Sequence, residues 1–234
     1  MKIIPIKTKI FQEGENLFRF IITHCPKLSE QSVLVITSKI VALAEKRTAI
    51  IKNSSTKEKL IRQESQSAIK TPFGWLTIKD NVPMMNAGVD ESNANGKIIM
   101  LPKNSFKTAS ELRTKLKKYY KIIHLGIIVT DSRTLPLHSG IAGVALGYSG
   151  FRGLKDYRGT KDLFGRIFHF SRTNIADSLA TAAVLTMGEG NEQQPLAIIE
   201  AAPIQFCNRT YQADLKISIQ DDMYRPLFLI KNKK

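Results

Sequence analysis

Side chains able to bind metal or phosphate gather at a few places along this chain, each beside a segment built to hold a fixed shape. Asp131 and Ser132 close the apolar run IIHLGIIVTDS. A carboxylate next to a hydroxyl offers the hard oxygen ligands that Mg²⁺ and Mn²⁺ prefer, and a strand end is where α/β folds place their sites. Asp131 would serve equally well as a cap for the segment that follows. Asp90 and Glu91 in GVDESN form a second oxygen-rich cluster, with Asn93 able to donate and accept hydrogen bonds. DESN is also ordinary turn chemistry. Glu189 in MGEGNEQQP is a third candidate ligand, though taken alone it reads as a solvated loop acid.

Arg152, Arg158 and Arg166, interleaved with Asp156 and Tyr157, suit bidentate binding of a carboxylate or phosphate, with a fold-stabilising ion-pair cluster as the competing reading. No GxxxxGK[ST] and no GxGxxG after a strand is present, so a nucleotide would need its phosphates held through metal rather than by a glycine-rich loop. The four histidines lack metal-ligand spacing: His124 reads as a core residue inside a strand, and His138, in the loop after Asp131, is the one of interest.

Strands and helices must position these groups. SVLVITSKIVALAEKR reads as a buried strand from Val33 to Ile36, a polar turn from Thr37 to Lys39, and a helix start. KNSSTKEKLIRQES reads as a loop into an exposed helix, FGWLTI and KIIMLP as strands, and NVPMMNAGVDESNANG as an ordered loop. SFKTASELRTKLKKYYK is a helix with Ser110 or Thr108 as candidate caps. The run ending on Asp131 is the clearest strand of a βα unit. Seven glycines, Gly140 through Gly165, follow in a stretch too irregular to be a repeat. TNIADSLATAAVLTMG is a helix with Gly188 as its C-cap, PLAIIEAAPI a last core strand, and KISIQ in the tail strand-like. The fold class is α/β with mixed strands, expected as one domain over 1–234.

At 234 residues, 43% hydrophobic and 24% charged, the chain can bury a substantial core, which excludes disordered and fibrous classes. No apolar run is long enough to span a bilayer and the start lacks a signal-peptide core, so a cytoplasmic enzyme is expected. Cys25 and Cys207 show no pairing pattern and read as buried small residues. The net charge of +15 would concentrate polyanions such as nucleotides or polyglutamates, or describes a Lys-rich solvated surface. A basic nucleic-acid-binding module is the main non-enzymatic alternative, opposed by the acids named above and by the absence of a recognisable nucleic-acid motif.

Taken in order, TSKIVALAE, NAGVDESN, the strand ending in Asp131 and Ser132, GVALGYSGFRGLKDYRGTKDLFGR and ADSLATAAVLTMGEGNE resemble the successive motifs of the coenzyme F420:L-glutamate ligases. The resemblance runs from about Lys2 to Ile204 and is poor between about Arg47 and Lys79. It implies a mixed α/β fold unlike a Rossmann or P-loop domain, and a homodimer with its site near the subunit interface. The implied activity is GTP-dependent addition of L-glutamate to a deazaflavin coenzyme precursor through an acyl phosphate, with two Mn²⁺ or Mg²⁺ ions. Carried onto this chain, Asp90 and Asp131 would hold one metal, and Ser132 and Glu189 the other. Ser38, Lys39 and Asn93 would contact the nucleotide, as would the stretch from Met187 to Gln194, with Met187, Gly188 and Asn191, and the loop from Thr8 to Phe11. Asp156, Arg158 and Arg166 would bind the substrates.

Three departures bear on the substrate. Where the family has Asp-Thr-Phe-Gly-Arg-Pro-Trp-Arg, this chain has DSRTLPLH from Asp131 to His138, so the hydroxyl is kept while the aromatic and an Arg are lost. Leu43 replaces a Lys that touches the nucleotide, which opens ATP as an alternative to GTP. Glu189 replaces a Gln. Relatives of this variant type are thought to extend folate in bacteria that lack the deazaflavin, so folate stands beside it as the acceptor. A metal-dependent phosphatase or nucleotidase, with water attacking in place of glutamate, is the enzymatic alternative.

Overall fold

The computed structural model describes residues 1–51, 53–80, 82–209 and 212–228; the terminal KNKK and part of the apolar tail lie outside them. In chain order the elements are β1 (Lys2–Ile6), α1 (Leu17–His24), β2 (Ser32–Thr37), α2 (Ser38–Ala44), β3 (Thr48–Ala49), α3 (Ser54–Gln63), β4 (Ser67–Thr71), β5 (Gly74–Lys79), β6 (Val82–Met85), β7 (Ile98–Ile99) and α4 (Ser105–Tyr120). Then come β8 (Leu125–Thr134), β9 (Ile141–Ser149), β10 (Leu154–Asp156), β11 (Arg172–Asn174), α5 (Ile175–Met187), β12 (Leu196–Glu200) and the short α6 (Arg225–Phe228).

The central sheet has the order β1-β12-β2-β8-β9, parallel between β2 and β8 and antiparallel elsewhere, which makes the α/β fold a mixed one as expected. Its inner strands read as continuous apolar runs because both faces are covered. Successive side chains alternate faces, so Leu34, Ile36, Ile127, Val129, Leu196 and Ile198 join the core beneath α1 and α4. Val33, Val35, Ile128, Ala197 and Ile199 pack on the opposite side against Ala176, Ala180 and Ala183 of α5. These small α5 residues let the helix lie close: a Cβ at Gly143 of β9 would stand 2.6 Å from Val184. Pro5 is tolerated in β1 because that strand is the sheet edge.

A smaller layer, β4-β5-β6 with α3 and the β3-β7 pair, has its own core of Ile61, Trp75, Val89, Ile98 and Met100. Glu64 ties it to the chain after α2, pairing with Arg47 at 2.6 Å and with Lys79. Burial pushes the Glu64 carboxyl up, but Arg47 and Lys79 outweigh it and hold the group below its ordinary value. A depressed carboxyl contributes stability that is present above the ordinary carboxylate range and lost as pH falls through the folded value. Glu64→Gln is therefore expected to lower unfolding stability by about 1–3 kcal/mol at neutral pH, and to match the wild type in acid, as denaturant titrations at the two pH values would show.

Several expectations are corrected. The stretch VPMM forms β6 rather than loop, and the glycine-rich stretch after His138 contains the nine-residue β9. β8 does not stop at Asp131: it continues to Thr134 and turns back into β9 as a hairpin, with no helix following. The cap of α4 is Asn104, whose side chain accepts from Lys107 N, in place of Thr108 or Ser110. His124 is an exposed residue just before β8 whose ring meets Glu30, so it is not a core residue. Cys25 is buried but Cys207 is only half-buried. KISIQ forms no strand. The Gly188 cap of α5 is present, with its N–H bonded to Val184 O. Among the described residues no helix is long and apolar enough to cross a membrane.

Candidate active site

β2 hands directly to α2, since Ser38 is already helical, and Thr37 pairs with Thr130 on β8. The start of α2 is thus level with the point where β8 becomes polar. At that point the β8–β9 ladder shifts register: Val129 faces Gly147 and Thr130 faces Ala145, leaving Leu146 as an extra residue. Beyond the bulge, Asp131 and Ser132 point to opposite faces of the sheet. Asp131 meets α2, where the Ser38 hydroxyl donates to its Oδ1 at 3.1 Å. Ser132 lies opposite Gly143, on the α5 side, and its hydroxyl donates to Glu189 just past the α5 cap.

The GVDESN loop closes over the start of α2. Asp90 is held by an isolated bridge to Ile99, and Asn93 has a left-handed backbone with φ 54°. Lys39 Nζ reaches Asp90 Oδ2 at 2.8 Å and donates to Ser92 Oγ at 2.6 Å, while Ser92 donates to Asp90 from its backbone N–H and its hydroxyl. Asn93 Nδ2 donates to Gly190 O at 3.1 Å, which ties this loop to the one carrying Glu189. That second loop also receives the N-terminal segment, with Thr8 N–H bonded to Gln193 O at 2.9 Å. Met187 is buried, Gly188 turns the chain at φ 82°, and Asn191 is exposed.

The two aspartates differ in environment. Burial raises the Asp90 carboxyl, but Lys39 and Ser92 outweigh it and leave the group below its ordinary value. Asp131 is surrounded by protein, and burial raises its carboxyl more than the field of Arg133 and the Ser38 hydrogen bond lower it. Its one side-chain hydrogen bond comes from a neutral hydroxyl, so Asp131 is short of positive charge. Ser132 and Glu189 touch directly, whereas Asp90 and Asp131 are linked only through Ser38 and Lys39. No three His, Cys, Asp or Glu side chains come together among the described residues. The donor set nevertheless fits Mg²⁺ or Mn²⁺, which are held by one or two carboxylates with substrate oxygens completing the shell.

Asp156, Arg158 and Arg166 lie elsewhere, on an arm that begins with the β10–β11 pair. It continues through the contacts of Gly159 N with Phe168 O and Asp162 N with Arg166 O, both hydrogen-bonded. Arg158 pairs with Asp156 at 2.5 Å and holds that carboxyl down at about 2, so in this structure Arg158 makes the ion pair that was the alternative to substrate binding. Arg166 is exposed near the arm's tip, and no hydrogen bond joins either arginine to the Asp90–Asp131 cluster. Sequence reasoning missed Arg133, two residues past Asp131 on β8. Its Nε is buried and has no hydrogen-bond partner. The signal was the charged residue in DSR, one strand period from the aspartate.

Residues 5–201 match the model of the F420-0:Gamma-glutamyl ligase family. Proteins named coenzyme F420:L-glutamate ligase are similar over most of their length. One from Methanococcus maripaludis is 33% identical, covering 96% of this chain and 97% of its own. One from Methanopyrus kandleri is 32% identical over 83% and 84%, and one from Methanocaldococcus jannaschii 30% identical over 96% and 97%.

Proposed function

The chain belongs to the F420-0:gamma-glutamyl ligase family, and from that membership we propose that it joins L-glutamate to a carboxylate-bearing coenzyme precursor, driven by GTP or ATP. The carrying observation is the closed set of contacts Ser38–Asp131, Ser132–Glu189, Gly190–Asn93 and Asp90–Lys39, which unites four segments distant in sequence at the start of α2.

The chemistry must bring a nucleotide phosphate to a carboxylate although both are anionic. Asp90 and Asp131 would hold one Mg²⁺ or Mn²⁺, and Ser132 and Glu189 a second; such ions neutralise phosphate and carboxylate oxygens and fix their orientation. Ser38 orients the Asp131 carboxylate, and Ser92 does the same for Asp90. Lys39, Asn93 and the loop from 187 to 194 form the nucleotide's side, backed by the segment at Thr8. The acceptor carboxylate takes the terminal phosphoryl group with release of the nucleoside diphosphate, giving an acyl phosphate, and the glutamate amine then attacks its carbonyl carbon, losing a proton and expelling phosphate to form the amide. The acceptor is a deazaflavin precursor or a folate, each with a free carboxylate.

A homodimer is part of the same reading. The arm leaves Leu163, Phe164 and Phe170 at least 90% exposed, and two-stranded hairpins are marginal in water without a partner. A second copy would cover these side chains and carry Arg158 and Arg166 toward a site.

Nucleotide turnover tests the proposal. Phosphate release that requires both L-glutamate and an acceptor is the expected result. Release at full rate without glutamate would make the protein a phosphatase or nucleotidase.

A further inference from the structure

Arg133 is the cation near the site whose hydrogen-bonding capacity the fold leaves unused. It projects from β8 one strand period past Asp131, on the same face. It is half-buried, its Nε is shut off from solvent, and no described group accepts from it. Asp131, Asp177 and Asp80 act on it through space, yet none forms an ion pair with it. Buried donors are nearly always satisfied, so an orphan N–H on a guanidinium asks for an acceptor from outside the chain. The fork geometry of Arg matches a carboxylate or a phosphate edge with two parallel hydrogen bonds.

Position along β8 separates these two anions. The groups assigned to the nucleotide, Lys39, Asn93 and the loop at Gly190, surround the start of α2, level with Thr130. Asp131 lies one residue further along, and Arg133 another ~7 Å beyond it at the strand rise. In-line phosphoryl transfer sets the attacking oxygen opposite the leaving one. With the nucleotide on the α2 side of Asp131, the side of Arg133 is left for the attacking carboxylate.

We propose that Arg133 is the acceptor subsite, binding the carboxylate that becomes phosphorylated through its Nε and one terminal nitrogen; this rests on the ligase reading for the order of substrates. Lysine in its place keeps the charge but loses the paired hydrogen bonds.

The test follows the Arg133 Nε–H resonance in ¹⁵N-labelled protein, assigned by its loss in Arg133→Gln, in Mg²⁺-containing buffer. Glutarate, the deazaflavin precursor, folate monoglutamate and GTP are titrated separately. Glutarate and one acceptor are expected to move the resonance, and GTP to leave it in place. Calorimetry with Arg133→Gln and Arg133→Lys should show that acceptor bound about tenfold or more weakly, with GTP affinity within about twofold of wild type. A resonance moved by GTP but not by glutarate would make this a phosphate subsite and overturn the proposal, as would no response to any carboxylate. A protein that binds glutarate at Arg133 but extends neither acceptor would retire the ligase reading and leave the carboxylate subsite standing.

Discussion

Asp131→Asn is expected to lose about 10³-fold or more in turnover while keeping its fold. The variant preserves the size of the side chain and an oxygen for the Ser38 hydroxyl, and removes only the charge that a divalent cation requires. Burial raises the Asp131 carboxyl, the reverse of the usual direction for an acid in a folded protein. Its ionisation at neutral pH therefore costs stability, and this cost appears as pH rises past the ordinary carboxylate range. The melting temperature of Asp131→Asn should hold or rise, a separation of stability from activity typical of functional sites. Steady-state rates with saturating Mn²⁺, read beside a thermal melt, check both halves. Near wild-type turnover would remove Asp131 from the metal set, and a collapse of the melt would make it a structural residue.

Gly147→Ala is expected to be a strongly damaging single-methyl change in the scaffold. Gly147 faces Val129 at the bulge, and the first turn of α4 lies directly over it. A Cβ there would stand 2.5 Å from both Phe106 N and the Ser105 carbonyl carbon, which are backbone atoms unable to swing aside. Either α4 lifts or β9 slides, at a cost of about 3 kcal/mol, well above the fraction of a kcal/mol that alanine returns in lost chain entropy. Sliding β9 would also disturb the register that sends Asp131 toward α2 and Ser132 toward α5. A melting temperature lower by about 6–12 °C is the expected reading, together with a larger loss of turnover than of stability. An unchanged melt would mean that α4 is not seated on β9 as described.

Much of the scaffold is legible from sequence where burial is two-sided. β2 and β12 announce themselves through unbroken apolar runs because helices cover both of their faces. The end of α5 is placed correctly because Gly188 closes it, whereas its start, set by the Asn174 side chain that accepts from Asp177 N, was not singled out. β9 was hidden for the opposite reason: Gly143 and Gly147 are small so that α5 and α4 can approach, and such glycines read as loop. The polar end of β8 was hidden because its ladder to β9 continues after the apolar pattern stops at Thr130. At the site, family resemblance brought together residues as far apart as Ser132 and Glu189, a pairing no local pattern contains. That resemblance could not reveal Arg133, which matters through an orphan nitrogen visible only once the surrounding atoms are in place.

The most direct measurement of the central claim is the mass of the acceptor after incubation with L-glutamate, Mn²⁺ and either GTP or ATP, run on the deazaflavin precursor and on a reduced folate with released phosphate counted in parallel. The ligase account predicts that one acceptor gains a glutamyl residue for each phosphate released, and that Asp131→Asn abolishes both. Phosphate released at the same rate without glutamate, with neither acceptor changed in mass, would contradict it.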